Sequence, residues 1–209
     1  MMSTYVITVA RGFGSGGKDI AIKTGEKLGI PVYYTQIAKM ASEKSGLSEA
    51  LFTKRYEKLR GGLFTKLKTF PSDDHICSPA DSKFTSDDNL YKIQAHVIKE
   101  LAENESCIII GKCANHILRH EKNVASVYIE APRRHCLANI MDEFGCNEED
   151  AALMIKRTDK YRADYYHYYT GGKTWTDPVA YDMTLNSGRL TDEQCVDLII
   201  DLAKRKNLL

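Results

Sequence analysis

The chain has almost no surplus charge: 29 lysines and arginines stand against 28 aspartates and glutamates in 209 residues, a formal net charge of +1. A nucleic-acid substrate is therefore not expected, because phosphate-backbone binding needs a clustered excess of basic residues. No apolar run approaches the ~20 residues that span a bilayer, so no membrane association is expected either. The first residues lack the basic segment, apolar stretch and small-residue cleavage site of a secretory leader. Six cysteines lie at 77, 107, 113, 136, 146 and 195, none in a Cys-x-x-Cys pair. His135-Cys136 is not by itself a metal-site spacing. Reduced, mostly structural thiols in a cytoplasmic protein are the expectation. There is no internal repeat, and the length suits one domain with insertions around a sizeable core.

What is present begins with Gly12-Phe13-Gly14-Ser15-Gly16-Gly17-Lys18, directly after a strand-like run at 5–10. The spacing is that of a phosphate loop, G-x-x-x-x-G-K, with Asp19 where serine or threonine is usual. Glycines let the backbone turn sharply and aim N–H groups at phosphate oxygens. Lys18 then opens a helix whose positive end adds to that field. A nucleoside triphosphate site follows: the amides of Gly14, Ser15, Gly16 and Gly17 wrap the phosphates and Lys18 reaches the β- and γ-phosphates. The competing reading, a glycine-rich turn without a ligand, has the agreement of strand, spacing and helix against it. Asp19 lacks the hydroxyl normally offered to magnesium. It can bind the ion directly or through water, repel the triphosphate, or serve only as a favourable acid in a first helical turn.

The rest of the chain supplies a framework for this loop. Residues 5–10, a helix ended by Gly29-Ile30-Pro31, and Val32-Tyr33-Tyr34 form a strand–helix–strand unit suited to a parallel sheet. Helices are expected at 36–43 and 49–59, and a long polar surface loop at 71–88. A helix at 89–104 has a clear apolar stripe. Strands follow at 107–110 and 125–129. Pro132 opens a helix that Gly145 ends, and Asn147 caps another through the 150s. A last strand is expected at 179–185. Thr191 with Gln194 forms a capping box for a terminal helix that buries Cys195, Leu198, Ile199 and Leu202.

Three further segments carry candidate chemistry. In Ile155-Lys156-Arg157-Thr158-Asp159-Lys160-Tyr161-Arg162 the two arginines are five positions apart, so on a helix they point about 140° apart. They bracket a substrate only if the helix ends there or closes as a lid. Guanidinium groups suit transferring phosphoryl oxygens, and Asp159 can orient Arg162 as an i,i+3 pair. The opposing reading is a solvated, charge-laced helix. The aromatic run at 165–169 reads as packing or a lid hinge. Gly111-Lys112 sits just past an apolar strand, where doubly wound sheets place ligands. Lys39, Arg55 and Arg60 can reach an acceptor phosphate, though each alone is equally a solvated cation.

Taken together, Arg11-Gly12-Phe13-Gly14-Ser15-Gly16-Gly17-Lys18-Asp19-Ile20 resembles the loop of the cytidylate kinase-like branch of the P-loop nucleoside monophosphate kinases. In that branch an arginine precedes the loop, Gly-Ser-Gly-Gly lies inside it, and the position of Asp19 is often acidic. Gly29-Ile30-Pro31-Val32-Tyr33-Tyr34 is similar to its second strand, and Tyr181-Asp182-Met183-Thr184-Leu185-Asn186-Ser187-Gly188-Arg189 to its segment before the terminal helix. The resemblance covers most of the chain. It implies a single α/β domain with the three-layer P-loop NTP hydrolase/kinase fold and its parallel sheet. The core would be 1–35 and 101–209, with an acceptor-binding helical insertion at 36–100 and a lid at 157–173. It implies ATP and Mg²⁺ as cofactors, and transfer of the γ-phosphoryl group to CMP or dCMP. Lys18, Arg157, Asp159 and Arg162 would be the catalytic set, with Lys39, Gly111 and Lys112 at the acceptor.

The departures fall on the acceptor side. The branch has an aspartate in the stretch matching Tyr34-Thr35, an arginine near Lys39, and Gly-Arg where Gly111-Lys112 stands. Its Arg-Asp-x-x-Arg lid motif has one residue fewer between the first arginine and the aspartate. Lysine keeps the charge but loses bidentate geometry. A kinase for another small metabolite and a nucleotide-binding regulatory module therefore stay open as alternatives, as does the choice between monomer and homodimer.

Overall fold

Val6-Ile7-Thr8-Val9-Ala10 is a run that suits a strand covered on both faces, and parallel sheets supply that setting. The computed structural model describes residues 4–53 and 76–209. In chain order its elements are β1 (Val6–Arg11), α1 (Gly17–Leu28), β2 (Val32–Tyr33), α2 (Gln36–Ser45), α3 (Glu49–Thr53), α4 (Asp87–Asn104) and β3 (Cys107–Ile110). There follow α5 (Ala114–Ile117), β4 (Val124–Glu130), α6 (Arg133–Phe144), α7 (Glu148–Tyr169), a 3-10 turn (Pro178–Ala180), β5 (Met183–Asn186) and α8 (Asp192–Arg205). The strands form one parallel sheet of order β2-β3-β1-β4-β5. β1 is central. Val6 to Val9 lie opposite Cys107 to Ile110 on β3, and Val6 to Arg11 opposite Val124 to Ile129 on β4.

Alternation along β1 sends Val6 to one face and Ile7 and Val9 to the other. The first face meets α2 and α4 through Ile37, Ala38, Ala41, Val97 and Ile98. The second meets α1 and α8 through Ile20, Ala21, Val196, Ile199 and Ala203. The result is three layers, helices on either side of the sheet. Ile7, Ile108 and Ile129 are each 0% exposed, and a side chain so buried contributes about 1.5–3 kcal/mol relative to exposure. The strands all end at the same rim, where the glycine loop, Tyr34, Gly111-Lys112, Glu130 and Asn186-Ser187 gather. Open parallel sheets bind ligands at that rim.

Helix ends follow the expected capping chemistry. Asn147 Oδ1 accepts the Asp150 N–H at 2.8 Å. Thr191 Oγ1 accepts from Gln194 N at 3.2 Å, and Gln194 Oε1 from Thr191 N at 3.0 Å, which completes the capping box. Four expectations need correction. α4 starts at Asp87 rather than 89, because Ser86 caps it by accepting the Asn89 N–H at 3.3 Å. Residues 179–182 are not strand: Pro178 fixes a tight turn, Asp177 Oδ1 accepts the Val179 N–H at 3.1 Å, and Val179 is 87% exposed. On α8, Leu198 is 37% exposed and Leu202 only partly buried, since the apolar stripe runs through Val196, Ile200 and Ala203 instead. α7 does not stop in the 150s but continues unbroken to Tyr169. Tyr165, Tyr166 and Tyr169 pack with Tyr128 and Trp175 and hold its far end.

The helix expected at 49–59 is seen as α3 alone; its remainder, Arg55, Arg60 and residues 71–75 of the polar loop lie outside the described residues. Among the described residues no helix is long and apolar enough to cross a membrane.

Candidate active site

The glycine loop is the turn between β1 and α1. Gly14 has φ 84°, and a Cβ there would come within 2.7 Å of the Cys136 carbonyl oxygen, so glycine is required on both counts. Three separate elements pin the loop. Asp159 of α7 accepts the Phe13 N–H at 2.8 Å, Asn139 of α6 donates to the Gly14 carbonyl at 2.9 Å, and Ser187 after β5 donates to the Ser15 carbonyl at 2.5 Å. Ser15 Oγ donates to the Gly12 carbonyl at 2.9 Å. The carbonyls at 12, 14 and 15 are thus engaged, while the amides of Gly14, Gly16 and Lys18 have no partner among the described residues. Those free donors sit at the positive end of α1. They face a cavity of about 580 Å³ walled by residues 11–19 with Asn139 and Arg162, and Lys18 and Asp19 are exposed on its side.

A second, tighter cavity of about 160 Å³ lies on the other side of Arg11. Its polar wall is Thr8, Arg11, Lys112, Asn115, Thr158 and Arg162; Tyr34, Tyr161, Tyr165 and Trp175 close it with aromatic rings. No aspartate or glutamate among the described residues lines it. Thr8 Oγ1 is buried in it without a hydrogen-bond partner. Lys112 is brought there by an unusual turn in which Gly111, Lys112 and Cys113 have φ of 74°, 56° and 57°. Non-glycine residues in this region cost of order 1–3 kcal/mol each and persist where the surroundings enforce them. Gly111 also clears room for Arg11, since a Cβ at 111 would fall 2.7 Å from Arg11 Nη1.

The two cavities share Arg11, Phe13, Tyr34 and Arg162. Arg162 Nη1 donates to the Arg11 carbonyl at 2.9 Å and lies 3.5 Å from Asp159 Oδ1, and its guanidinium stands over the Phe13 ring at 5.5 Å. Burial raises the Asp159 carboxyl above its ordinary range; the Phe13 N–H and the Arg162 charge act against that rise. Asp159 therefore ties α7 to the phosphate loop as well as facing Arg162.

The structure brings Gly12, Gly14, Ser15, Gly16, Gly17, Lys18, Asp19, Gly111, Lys112 and Arg162 around the joined cavities, with Asp159 behind them. Arg157 and Lys39 are not brought there. Arg157 is exposed and lines neither cavity, because α7 continues and keeps it on a different face from Arg162. Thr158, Tyr161, Arg162, Tyr165 and Tyr166, spaced i, i+3, i+4, i+7 and i+8, are the face that reaches the site. Lys39 is exposed and lies 3.8 Å from Glu43 on its own helix. Sequence reasoning gave no role to Thr8, Asn115, Asn139 or Trp175. The helical spacing around Arg162 was the signal for the α7 face, but nothing local marks the others.

Residues 6–189 match the model of the cytidylate kinase-like family. A cytidylate kinase from Sulfolobus acidocaldarius is 28% identical over 118 residues, 56% of this chain and 63% of that protein. The match therefore spans less than two thirds of that relative. Among solved structures, an uncharacterized protein from Eubacterium ventriosum has a TM-score of 0.70 at 24% identity, covering 96% of this chain and 99% of that one. A shikimate kinase from Acinetobacter baumannii reaches 0.53 at 12% identity, covering 100% and 97%. A gluconokinase from Sinorhizobium meliloti reaches 0.52 at 12%, covering 99% and 96%. These likenesses speak for the fold, that of the P-loop kinases. The family model covers the glycine loop, the sheet and α7 together, and on that match the chain belongs to the cytidylate kinase-like family.

Proposed function

We propose that this protein transfers the γ-phosphoryl group of ATP to a nucleoside monophosphate, with CMP or dCMP the expected acceptor. One observation carries the reading. A cavity walled by the phosphate loop and a cavity lined by Arg11, Lys112 and Arg162, with no carboxylate among the described residues, share a common seam. The first suits a triphosphate donor and the second a phosphate-bearing acceptor. The name of the Sulfolobus relative supports cytidylate.

In this reading the loop amides and Lys18 hold the donor, and Arg162 faces the charge that develops on the transferring group. An acceptor phosphate oxygen bonds to the γ-phosphorus as the bond to the β–γ bridging oxygen breaks, leaving ADP. The acceptor is already an anion, so no strong protein base is needed. Lys112 holds its phosphate, and Asp159 positions Arg162 and the loop. Arg157 and Lys39 reach the acceptor only if α7 and α2 close over it, and that closure, which excludes water, is part of the proposal.

Magnesium fits the donor cavity. Asp19 offers hard carboxylate oxygens beside Lys18 on its wall, and Mg²⁺ is commonly held by one or two carboxylates plus substrate phosphates. Bound there directly or through water, it supplies neutralising charge to the β- and γ-phosphate oxygens. A second reading, transfer to a smaller phosphorylated or hydroxylated metabolite, has the tightness of the 160 Å³ cavity in its favour.

The test is ADP production from Mg-ATP against a panel of nucleoside monophosphates, with wild type and Lys18→Ala in parallel. The expected result is strong stimulation by one pyrimidine monophosphate and a loss of about 10²–10³-fold in kcat in the variant. No stimulation by any of them, in protein shown to bind ATP, would remove the nucleotide-kinase reading.

A further inference from the structure

Arg11 is the last residue of β1 and 8% exposed, and its guanidinium stands 4.9 Å over the Tyr34 ring. Its stem passes close to the loop, where Gly17 makes room for it, since a Cβ there would come 2.7 Å from Arg11 Cβ. Gly111 keeps the far end clear, as described above. A long cationic side chain is thus held by a strand and an aromatic face, in room that two glycines leave open. It lies at the seam of the donor and acceptor cavities and lines both. Only Arg11 and Arg162 among the described residues bring permanent charge to both cavities, and the Arg11 carbonyl holds the Arg162 guanidinium at 2.9 Å. The second arginine expected from the sequence, Arg157, is on another face of α7. A phosphoryl group in flight spreads charge over three equatorial oxygens, and planar guanidinium groups match such oxygens in pairs.

We propose that Arg11 is a catalytic residue: its guanidinium, paired with Arg162, contacts the phosphoryl group as it passes from ATP to the acceptor. This rests on the phosphotransferase reading. Arg11 would bind the in-flight group more tightly than ground-state nucleotide, so its removal lowers kcat more than it weakens ATP.

The experiment uses Arg11→Lys and Arg11→Gln beside wild type. Calorimetry measures ADP affinity with Mg²⁺, first alone and then with fluoroaluminate, a planar anionic stand-in for the transferring group. Thermal unfolding checks each fold. Wild type and Arg11→Lys should bind ADP within about threefold of each other. Fluoroaluminate should tighten wild type at least tenfold more than Arg11→Lys. With an acceptor in hand, kcat should fall by about 10²-fold in Arg11→Lys, and added guanidinium ion should partly restore Arg11→Gln. Equal tightening in wild type and Arg11→Lys would overturn the proposal. So would a parallel loss of ADP affinity and thermal stability in both variants, which would make Arg11 a structural strut. Absence of acceptor-dependent turnover in wild type, with the fluoroaluminate difference intact, would count against the acceptor assignment and leave Arg11 supported.

Discussion

Asp159 shows how one carboxylate serves two ends. It accepts the Phe13 N–H at 2.8 Å and faces Arg162 at 3.5 Å, yet burial raises its carboxyl above the ordinary value of 3.8. A raised folded-state value means that the folded protein holds this proton more tightly than the unfolded chain does. The contribution to stability is then fully present below the unfolded value and is lost as pH rises through the folded one. An asparagine keeps an oxygen for Phe13 but carries no buried charge. Asp159→Asn should therefore unfold at a higher temperature than wild type near pH 7, and the gap should close as pH falls through the carboxylate range. Thermal scans from pH 4 to 8 read this directly. A less stable variant at neutral pH would mean that attraction to Arg162 outweighs the cost of burial. Activity should fall in the variant, because Arg162 loses its oriented partner.

At the scale of elements, the capping box of α8 gives a clean test. Thr191 and Gln194 satisfy two terminal N–H groups reciprocally, at 3.2 Å and 3.0 Å. Thr191→Ala should cost about 1 kcal/mol and lower Tm by about 2–4 °C, with little change in kcat because Thr191 itself lines neither cavity. A drop in kcat without a stability change would contradict that placement. The same box was legible from sequence, as were the glycine loop, β1, β3 and the helix after Pro132, since each is written in local spacing or cap chemistry. What was not legible came from tertiary choice. Val179 looked like a strand residue and is surface, because Asp177 and Pro178 set a turn that no periodicity announces. Leu198 looked buried and is exposed, because the sheet selects a stripe one step around the helix. Lys18, Lys112 and Arg162, singled out from motif and position, line one or both cavities. Arg157 lines neither cavity because α7 does not end there: the tyrosines at 165, 166 and 169 carry that helix onward into the aromatic core. Thr8 and Asn115 reach the smaller cavity only through the packing of distant segments, which one sequence does not display.

At the scale of the molecule, the phosphate loop is the point where α6, α7 and the segment after β5 converge, through Asn139, Asp159 and Ser187. Nucleotide binding should therefore be felt well beyond residues 12–18. In hydrogen exchange, saturating ADP with Mg²⁺ should slow amides around 139, 159 and 187 together with those of the loop. Protection confined to the loop would show that these ties are slack. The ties also bear on how portable the motif is. The seven residues from Gly12 to Lys18 read as a self-contained cassette, yet the orientation of their peptide groups is set by side chains more than a hundred positions downstream. Grafted onto another strand–helix junction, the cassette would arrive with its glycines and without its scaffolding. To transplant the loop's geometry is to transplant Asn139, Asp159 and Ser187 as well.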